Sequence, residues 1–282
     1  MKYKIIILML LLTATCFGQS LLLFDDKPYD KDARIYFASL TTPLSSVQKK
    51  RVNTFVKMLK DSLGITSLAS KFDVMYLLAN ETSEAGLKNL VKRSSDATAV
   101  NAPVFTAYEG FTAAATKYIN TNYIPSSQGV NFTLNSASIG FYNRVNSAVV
   151  RMGGEGAGDV LERTDILVAG GLLYYRLNQN SSLTHAVADV TGLLILSRTS
   201  GTSVSGYRNG ALLSAQAAGS NTLTTATFYI LGQNDNGSLN ASTAGEQVSF
   251  AFAGSQLSAT QVRQLTNCIE VYMDSIGTGV IP

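Results

Sequence analysis

The 282-residue chain has no tryptophan, one histidine and two cysteines. Cys16 lies in an N-terminal apolar segment. With that segment removed only Cys268 remains, so no intramolecular disulfide can form and the fold must rest on its core. A lone histidine, His185, and one remaining cysteine exclude zinc centres built from His/Cys clusters. Charge of one sign is also lacking. Loss of Lys2 and Lys4 with the leader takes the formal net charge from +3 to about +1. No basic stripe marks a nucleic-acid partner, and none is expected. The run Lys49-Lys50-Arg51 is one turn of a predicted helix and reads as a solvated face.

At the start, Lys2 and Lys4 precede an unbroken apolar run over residues 5–12, followed by small residues up to Gly18. This is the order of a secretory signal. The run is too short to span a bilayer, which takes about 20 apolar residues. Cleavage after Gly18 is expected, leaving Gln19 as the first residue of a secreted, periplasmic or surface protein. The alternatives are an N-terminal anchor helix and a lipoprotein acylated on Cys16. No transmembrane segment is expected after cleavage.

The rest is expected to form an extended lead-in over residues 19–34 and one domain over 35–282. Within it, residues 34–38 read as a short strand. Ser45 with Gln48 is spaced as a capping box, and Val52, Phe55, Val56, Leu59 and Leu63 follow at helical spacing up to Gly64. The C-terminus repeats the design. Ser258 and Gln261 form the box, Val262, Leu265, Ile269, Tyr272 and Ile276 the stripe, and Gly277 the stop. Two amphipathic helices are thus predicted, over 44–64 and 257–277. Their stripes should be buried side by side on the outside of the domain, with Leu59 and Leu265 covered and Cys268 shielded.

Between the helices, short apolar runs alternate with Gly, Asn and Ser. A run at 72–79 is strand or helical turn, and 83–92 a small helix. Strands are predicted at 104–106, 118–121, 131–134, 137–144, 147–152, 165–168, 171–177, 186–189, 192–198, 206–208, 211–215, 225–231 and 247–253. Val248, Phe250 and Phe252 alternate with Gln247, Ser249 and Ala251, so one face of that strand is buried. Asn209-Gly210 between two strand-like runs marks a type I′ hairpin. The fold class is therefore mostly β: an antiparallel β-sandwich with an N-terminal and a C-terminal amphipathic helix packed outside.

The text around residues 191–198 and Gly206-Tyr207-Arg208-Asn209-Gly210 resembles the adjacent strands and hairpin of laminin-G-like jelly rolls of the concanavalin A-like group. So do residues 101–125 (NAPVFTAYEGFTAAATKYINTNYIP) and the ending from 248 to 277 (VSFAFAGSQLSATQVRQLTNCIEVYMDSIG). The leading segments TTPLSSVQKKRVNTFVKML and FDVMYLLANETSEAGLKNLV are similar to modules in phage and prophage structural proteins and secreted bacterial proteins. The resemblance covers roughly residues 35–280. It implies a jelly roll, a fold that hosts lectins, glycosidases and adhesive modules, so function must come from a site.

Catalysis lacks its usual marks. Jelly-roll glucanases carry carboxylates at alternate strand positions in a Glu-x-Asp-x-x-Glu motif, which this chain lacks. Its nearest cluster, Glu155, Asp159 and Glu162, reads as a solvated loop. His185 has no Gly-x-Ser-x-Gly elbow to serve and reads as a strand residue. The glycines from 153 to 158 lack the Lys-Ser/Thr of a phosphate loop and read as a hairpin tip. No catalytic residue is therefore assigned.

Two binding features stand out. Tyr142 with Arg144, and Tyr174 with Arg176, each share a strand face, and the two pairs could form one sugar-binding surface. Asn234, Asp235 and Asn236 offer oxygens to a calcium ion, though the same residues make ordinary turns. The expected function is an exported, non-catalytic binding or structural module, carbohydrate-binding or adhesive, with a glycan or protein partner. The alternatives are a diverged glycoside hydrolase of the concanavalin A-like superfamily and a phage-derived tail or fibre protein.

Overall fold

A computed structural model describes residues 29–92, 94–157, 162–179 and 183–282. The leader, including Cys16 and the expected cleavage point, lies outside the described residues, as does Asp159. In chain order the elements begin with α1 (Lys31–Phe37), α2 (Ser46–Leu63), β1 (Phe72–Tyr76), α3 (Ser83–Leu87), β2 (Thr98–Val100), β3 (Val104–Thr106) and β4 (Gly110–Thr112). Next come β5 (Tyr118–Asn120), α4 (Pro125–Gln128), β6 (Ala137–Asn143), β7 (Val149–Glu155), β8 (Arg163–Ala169), β9 (Leu172–Leu177) and β10 (Leu183–Ala186). The chain closes with β11 (Gly192–Ser200), β12 (Ser203–Arg208), β13 (Ala211–Ala217), β14 (Tyr229–Ile230), β15 (Gly232–Asp235), β16 (Ser238–Ala241), β17 (Gln247–Gly254) and α5 (Ala259–Ser275).

The strands build two sheets. The first has eight strands in the order β13-β12-β11-β6-β17-β4-β3, with β1 also on β17. The second has nine, in the order β10-β9-β8-β7-β14-β5-β2, with β15 on β7 and β16 on β15. Pairing is antiparallel except for β15, which runs parallel to β7. That exception follows from Leu231, whose φ of 66° reverses the chain between β14 and β15. The inner faces meet in one core, where Ile139, Phe141, Leu194 and Leu196 of the first sheet face Val150, Met152, Ile166 and Tyr175 of the second. Arg198 is also inside. Its guanidinium donates to the carbonyls of Leu177 (2.8 Å) and Ala218 (2.9 Å) and to Gln179 Oε1 (2.7 Å), joining the two sheets. Burial lowers its pKa to about 10.

A second core lies on the outer face of the eight-stranded sheet. There Tyr142, Leu193, Ile195, Phe250 and Phe252 meet Phe55, Leu59, Leu265 and Ile269 of α2 and α5. Leu59 and Leu265 are fully buried, so the two striped helices pack side by side on the sandwich. Only one of the two capping boxes closes. In α5, Gln261 N–H donates to Ser258 Oγ and Ser258 N–H to Gln261 Oε1. In α2, Ser45 Oγ still caps Gln48 N–H, but the Gln48 side chain turns inward to Asn80 Oδ1 (3.0 Å) and the Tyr272 hydroxyl (2.9 Å). Glu81 takes its place on the Ser45 N–H. Tertiary contact to α5 outcompetes the local box.

Residues 34–38, expected as a strand, belong mostly to α1, and residues 31–34 of the expected lead-in are helical too. Asp30 caps this helix by accepting from Asp32 N–H (2.9 Å). Ala33 and Tyr36, at helical spacing, are its buried apolar positions, and Asp32 beside them is buried too. The β-branched and aromatic residues there gave a strand signal that the cap and the packing override. The expected strand at 131–134 is a loop held by Asp73. The Asn209-Gly210 hairpin forms as expected, with φ of 51° and 80°, the sign a type I′ turn needs.

Cys268 is buried in the helix layer, its Sγ 3.6 Å from Ser62 Oγ, and burial pushes its thiol pKa up. Labelling of Cys268 by a thiol reagent should therefore be slow in the native protein and fast in urea. Rapid native labelling would show that α5 is undocked.

Candidate functional site

With α2 and α5 on one sheet, the outer face of the nine-stranded sheet is the candidate surface. Alternation places Arg151, Gly153 and Glu155 of β7 on it, because Val150 and Met152 point into the core. The same rule puts Arg163 and Asp165 of β8 there, and Tyr174 and Arg176 of β9. Pairing then aligns Glu155 with Arg163, Gly153 with Asp165, and Asp165 with Arg176. From the other edge of β7, β15 brings Gln233 beside Gly153 and Asp235 beside Glu155.

These side chains form one ionic network. Arg163 sits at its centre. It binds Glu155 Oε2 (3.1 Å) and Asp165 Oδ1 (2.9 Å), and donates to Gln233 Oε1 (3.3 Å). Gln233 Nε2 donates to Glu155 Oε2 (2.9 Å). Arg176 pairs with Asp165 Oδ2 (3.3 Å), and its guanidinium lies 4.8 Å from the centre of the Tyr174 ring. Among the described residues the Arg151 side chain hydrogen-bonds only to Gln233 Oε1, at 3.5 Å. Gly153 is required in the middle. Its φ is 141°, and a Cβ there would come within 2.2 Å of the Thr164 carbonyl.

Charges on this face are poorly hydrated. Asp165 and Gln233 are fully buried, and Glu155 and Arg176 nearly so. Burial pushes the Glu155 carboxyl above the usual range, against the pull of Arg163. Burial and the neighbouring guanidiniums lower Arg151 and Arg176, and Asp165 opposes this in both. An aromatic pair borders the network on the far side. Tyr229 of β14 is opposite Gly153, and its ring lies 4.2 Å from that of Tyr118 on β5, centre to centre. At about 4.8 Å per strand, the step from β14 to β9 is roughly 14 Å. Aromatic rings thus stand at both ends of a row of planar polar groups.

The two Tyr-x-Arg pairs do not share a surface. They lie on different sheets, and their outer faces point apart. Tyr142 is fully buried beneath α5, its hydroxyl donating to Glu270 Oε2 (2.6 Å) and accepting from Val280 N–H (2.7 Å). A ring with no free face cannot stack on a sugar. Arg144 is committed to Glu109 (3.1 Å) and to the Thr278 carbonyl (3.2 Å). Tyr174, half-buried, lies on the outer face that no helix covers, with Arg176 buried beside it.

Other sequence readings also shift. Glu155 is not in a solvated loop but at the end of β7, and Gly153 and Gly154 lie within that strand rather than at a hairpin tip. Glu162 precedes β8 and accepts from Thr225 Oγ1 (2.6 Å). His185 is half-buried in β10, opposite Leu173. Residues Asn234 to Gly237 form the β15–β16 hairpin, with φ of 46° at Asn236 and 91° at Gly237. Asn234 Oδ1 already accepts from Gly237 N–H (2.7 Å), and its amide donates to the Thr227 carbonyl. Asn234 and Asp235 alternate across the sheet, so their side chains do not converge. Among the described residues no group of three or more His, Cys, Asp or Glu could hold a metal ion.

The molecule is thus a β-sandwich with one face sealed by helices and the other carrying a charged, aromatic-edged network. No protein-family model matches the chain, and no curated protein sequence matches it. In fold it is similar to the sialidase of Trypanosoma rangeli in complex with 2,3-difluorosialic acid, at 13% identity and a TM-score of 0.50. That match covers 83% of this chain and 39% of the sialidase. Domain 4 of the extracellular arabinanase AbnA from Geobacillus stearothermophilus, in complex with arabinotriose, matches at 17% identity and a TM-score of 0.43, over 70% of this chain and 98% of that domain. The CBM40 of a Ruminococcus gnavus sialidase bound to α2,3-sialyllactose matches at 12% identity and 0.37, over 48% and 83%.

Proposed function

We propose that the protein is an exported, non-catalytic glycan-binding module whose ligand lies across the outer face of the nine-stranded sheet. One observation carries this reading: half-buried Arg151 and Tyr174 stand over a buried polar network of Gln233, Asp165 and Arg176, on the sheet face that the helices do not cover. Sugars offer hydroxyls to such groups and apolar ring faces to aromatics. The secretory pattern of residues 1–18 fits an extracellular role and weighs against a virion protein, which needs no such signal. No helix among the described residues is long and apolar enough to cross a membrane.

A hydrolase would need one protonated carboxyl and one free carboxylate. Glu155, raised by burial, is the candidate acid, but Asp165 is held by two guanidiniums, which favours binding over catalysis. Calcium enters the proposal only at the hairpin tip, where the Asp235 carboxylate is exposed.

A glycan array probed with the purified chain, with calcium and with a chelator, tests the reading. Binding is expected, and Tyr174→Ala should weaken it roughly tenfold, the scale of one lost stacking and cation–π contact. Tyr142→Phe should leave affinity unchanged. Chelator-sensitive binding would assign an ion to the tip. No binding on the array, or binding indifferent to Tyr174→Ala, would overturn the proposal.

A further inference from the structure

We infer that the glycan is acidic, its carboxylate seated on the guanidinium of Arg151; this rests on the glycan-binding reading above. Three arginines stand on adjacent strands of one face, and two of them are neutralised. Arg163 is paired with Glu155 and Asp165, and Arg176 with Asp165 and the Tyr174 ring. Arg151 makes no ion pair among the described residues. Its Nε is buried without a hydrogen-bond partner, and its only side-chain bond is the 3.5 Å contact to Gln233.

A half-buried guanidinium that is desolvated and faces two others, with Asp165 and Asp235 attracting it only from beyond ion-pair distance, is costly to the fold. Such an arrangement is stable in function when a ligand supplies the missing charge. The charge count selects the ligand. Within the buried part of the network Arg151, Arg163 and Arg176 outnumber Asp165 and Glu155 by one; Asp235, beside Glu155, also attracts Arg151 but is exposed and screened by water. A monoanion neutralises that one positive charge, whereas a phosphate dianion would leave an excess. The guanidinium fork also matches a planar carboxylate through two parallel hydrogen bonds. Gln233 Oε1, already shared by Arg151 and Arg163, holds the fork in place.

Calorimetry with matched probes tests this. Sialyllactose is compared with lactose, and trigalacturonate with its methyl ester, on the wild type and on Arg151→Gln. At least one acidic probe should bind about tenfold or more tightly than its neutral match, and the preference should weaken with added salt. Arg151→Gln should abolish the preference while the melting temperature falls no lower than that of the wild type, since a costly charge is removed. Equal binding of acidic and neutral sugars, or a preference that survives Arg151→Gln, would overturn the acidic-ligand inference and leave the glycan reading standing. Binding of inorganic phosphate in place of any carboxylated sugar would overturn it as well. Failure of every sugar, acidic and neutral, on this and the glycan array would overturn both.

Discussion

Asp73→Ala should lose about 3–5 kcal/mol of stability, the scale of breaking a buried charged hydrogen-bond centre. Asp73 sits at a bulge in the pairing of β1 with β17 and is 1% exposed. Its carboxylate accepts from the backbone N–H groups of Val130 (3.1 Å), Asn131 (3.1 Å) and Phe132 (2.9 Å), and from the Tyr123 hydroxyl (2.9 Å). One side chain thus satisfies three backbone donors of a loop that has no ladder of its own. Alanine would leave the Phe132 N–H unpaired in the interior and those of Val130 and Asn131 unpaired nearer the surface, at a cost of about 1–3 kcal/mol for the buried donor and less for the others. Urea denaturation should show a lower midpoint with a similar slope. Asp73→Asn, which keeps one acceptor oxygen, should lose less. A change under about 1 kcal/mol for alanine would mean that water replaces the carboxylate.

Glu246→Gln should stabilise the protein at pH 8 and change little at pH 4.5. Glu246 is fully buried where the chain passes from the nine-stranded sheet into β17, and neither carboxyl oxygen has a well-formed hydrogen bond, although the Ser242 hydroxyl and the Arg151 N–H lie close enough to oppose part of the effect of burial. The nearby N–H of Arg151 donates to Ser242 Oγ instead (3.0 Å). Burial pushes the Glu246 pKa up to about 8 from 4.5. In the unfolded chain the group ionises above about pH 4.5, while the folded protein keeps its proton up to about pH 8. The native state therefore binds more protons across that window, and stability falls as pH rises. The slope is about 1.4 kcal/mol per pH unit, so the accumulated cost near pH 8 is of the order of 3–5 kcal/mol. Glutamine does not ionise, so the variant should lack this slope. Denaturation curves at pH 4.5, 6 and 8 decide the matter. Parallel pH profiles for wild type and variant would mean that water reaches Glu246 and that it ionises normally.

The helices were legible because their signals are local. A serine cap, a 3.6-residue stripe and a glycine stop all lie within one stretch of chain, and α2 and α5 start at their caps, Ser45 and Ser258. The strand misread at 34–38 shows the limit of propensity. Ile35, Tyr36 and Phe37 favour strands in isolation, yet Asp30 caps a helix there, and the Tyr36 hydroxyl reaches the Ala85 carbonyl (2.6 Å). Short strands such as β2, β4, β15 and β16 were not anticipated. Two to four residues are too few to show a period, and only their partners make them strands.

The candidate site was half legible. Strand alternation puts Tyr174 and Arg176 on one face of their strand, and Tyr142 and Arg144 on one face of theirs. It could not say which outer face the helices would cover. The same limit hid Arg151, Arg163, Asp165, Gln233 and Tyr229. Each is an unremarkable residue in its own segment, and Glu155 sits among glycines that suggest a loop.

From sequence alone came the β-sandwich class, the two capped helices and the Asn209-Gly210 turn. These depend on composition and on interactions within about four residues along the chain. Tertiary structure decided the rest. Pairing of β7 with β8, β14 and β15 brings residues 151, 165, 229 and 233 to one face, and docking of α2 and α5 removes Tyr142 from solvent. Both depend on contacts between distant segments, because a strand's hydrogen bonds and the cover over its outer face come from other parts of the chain.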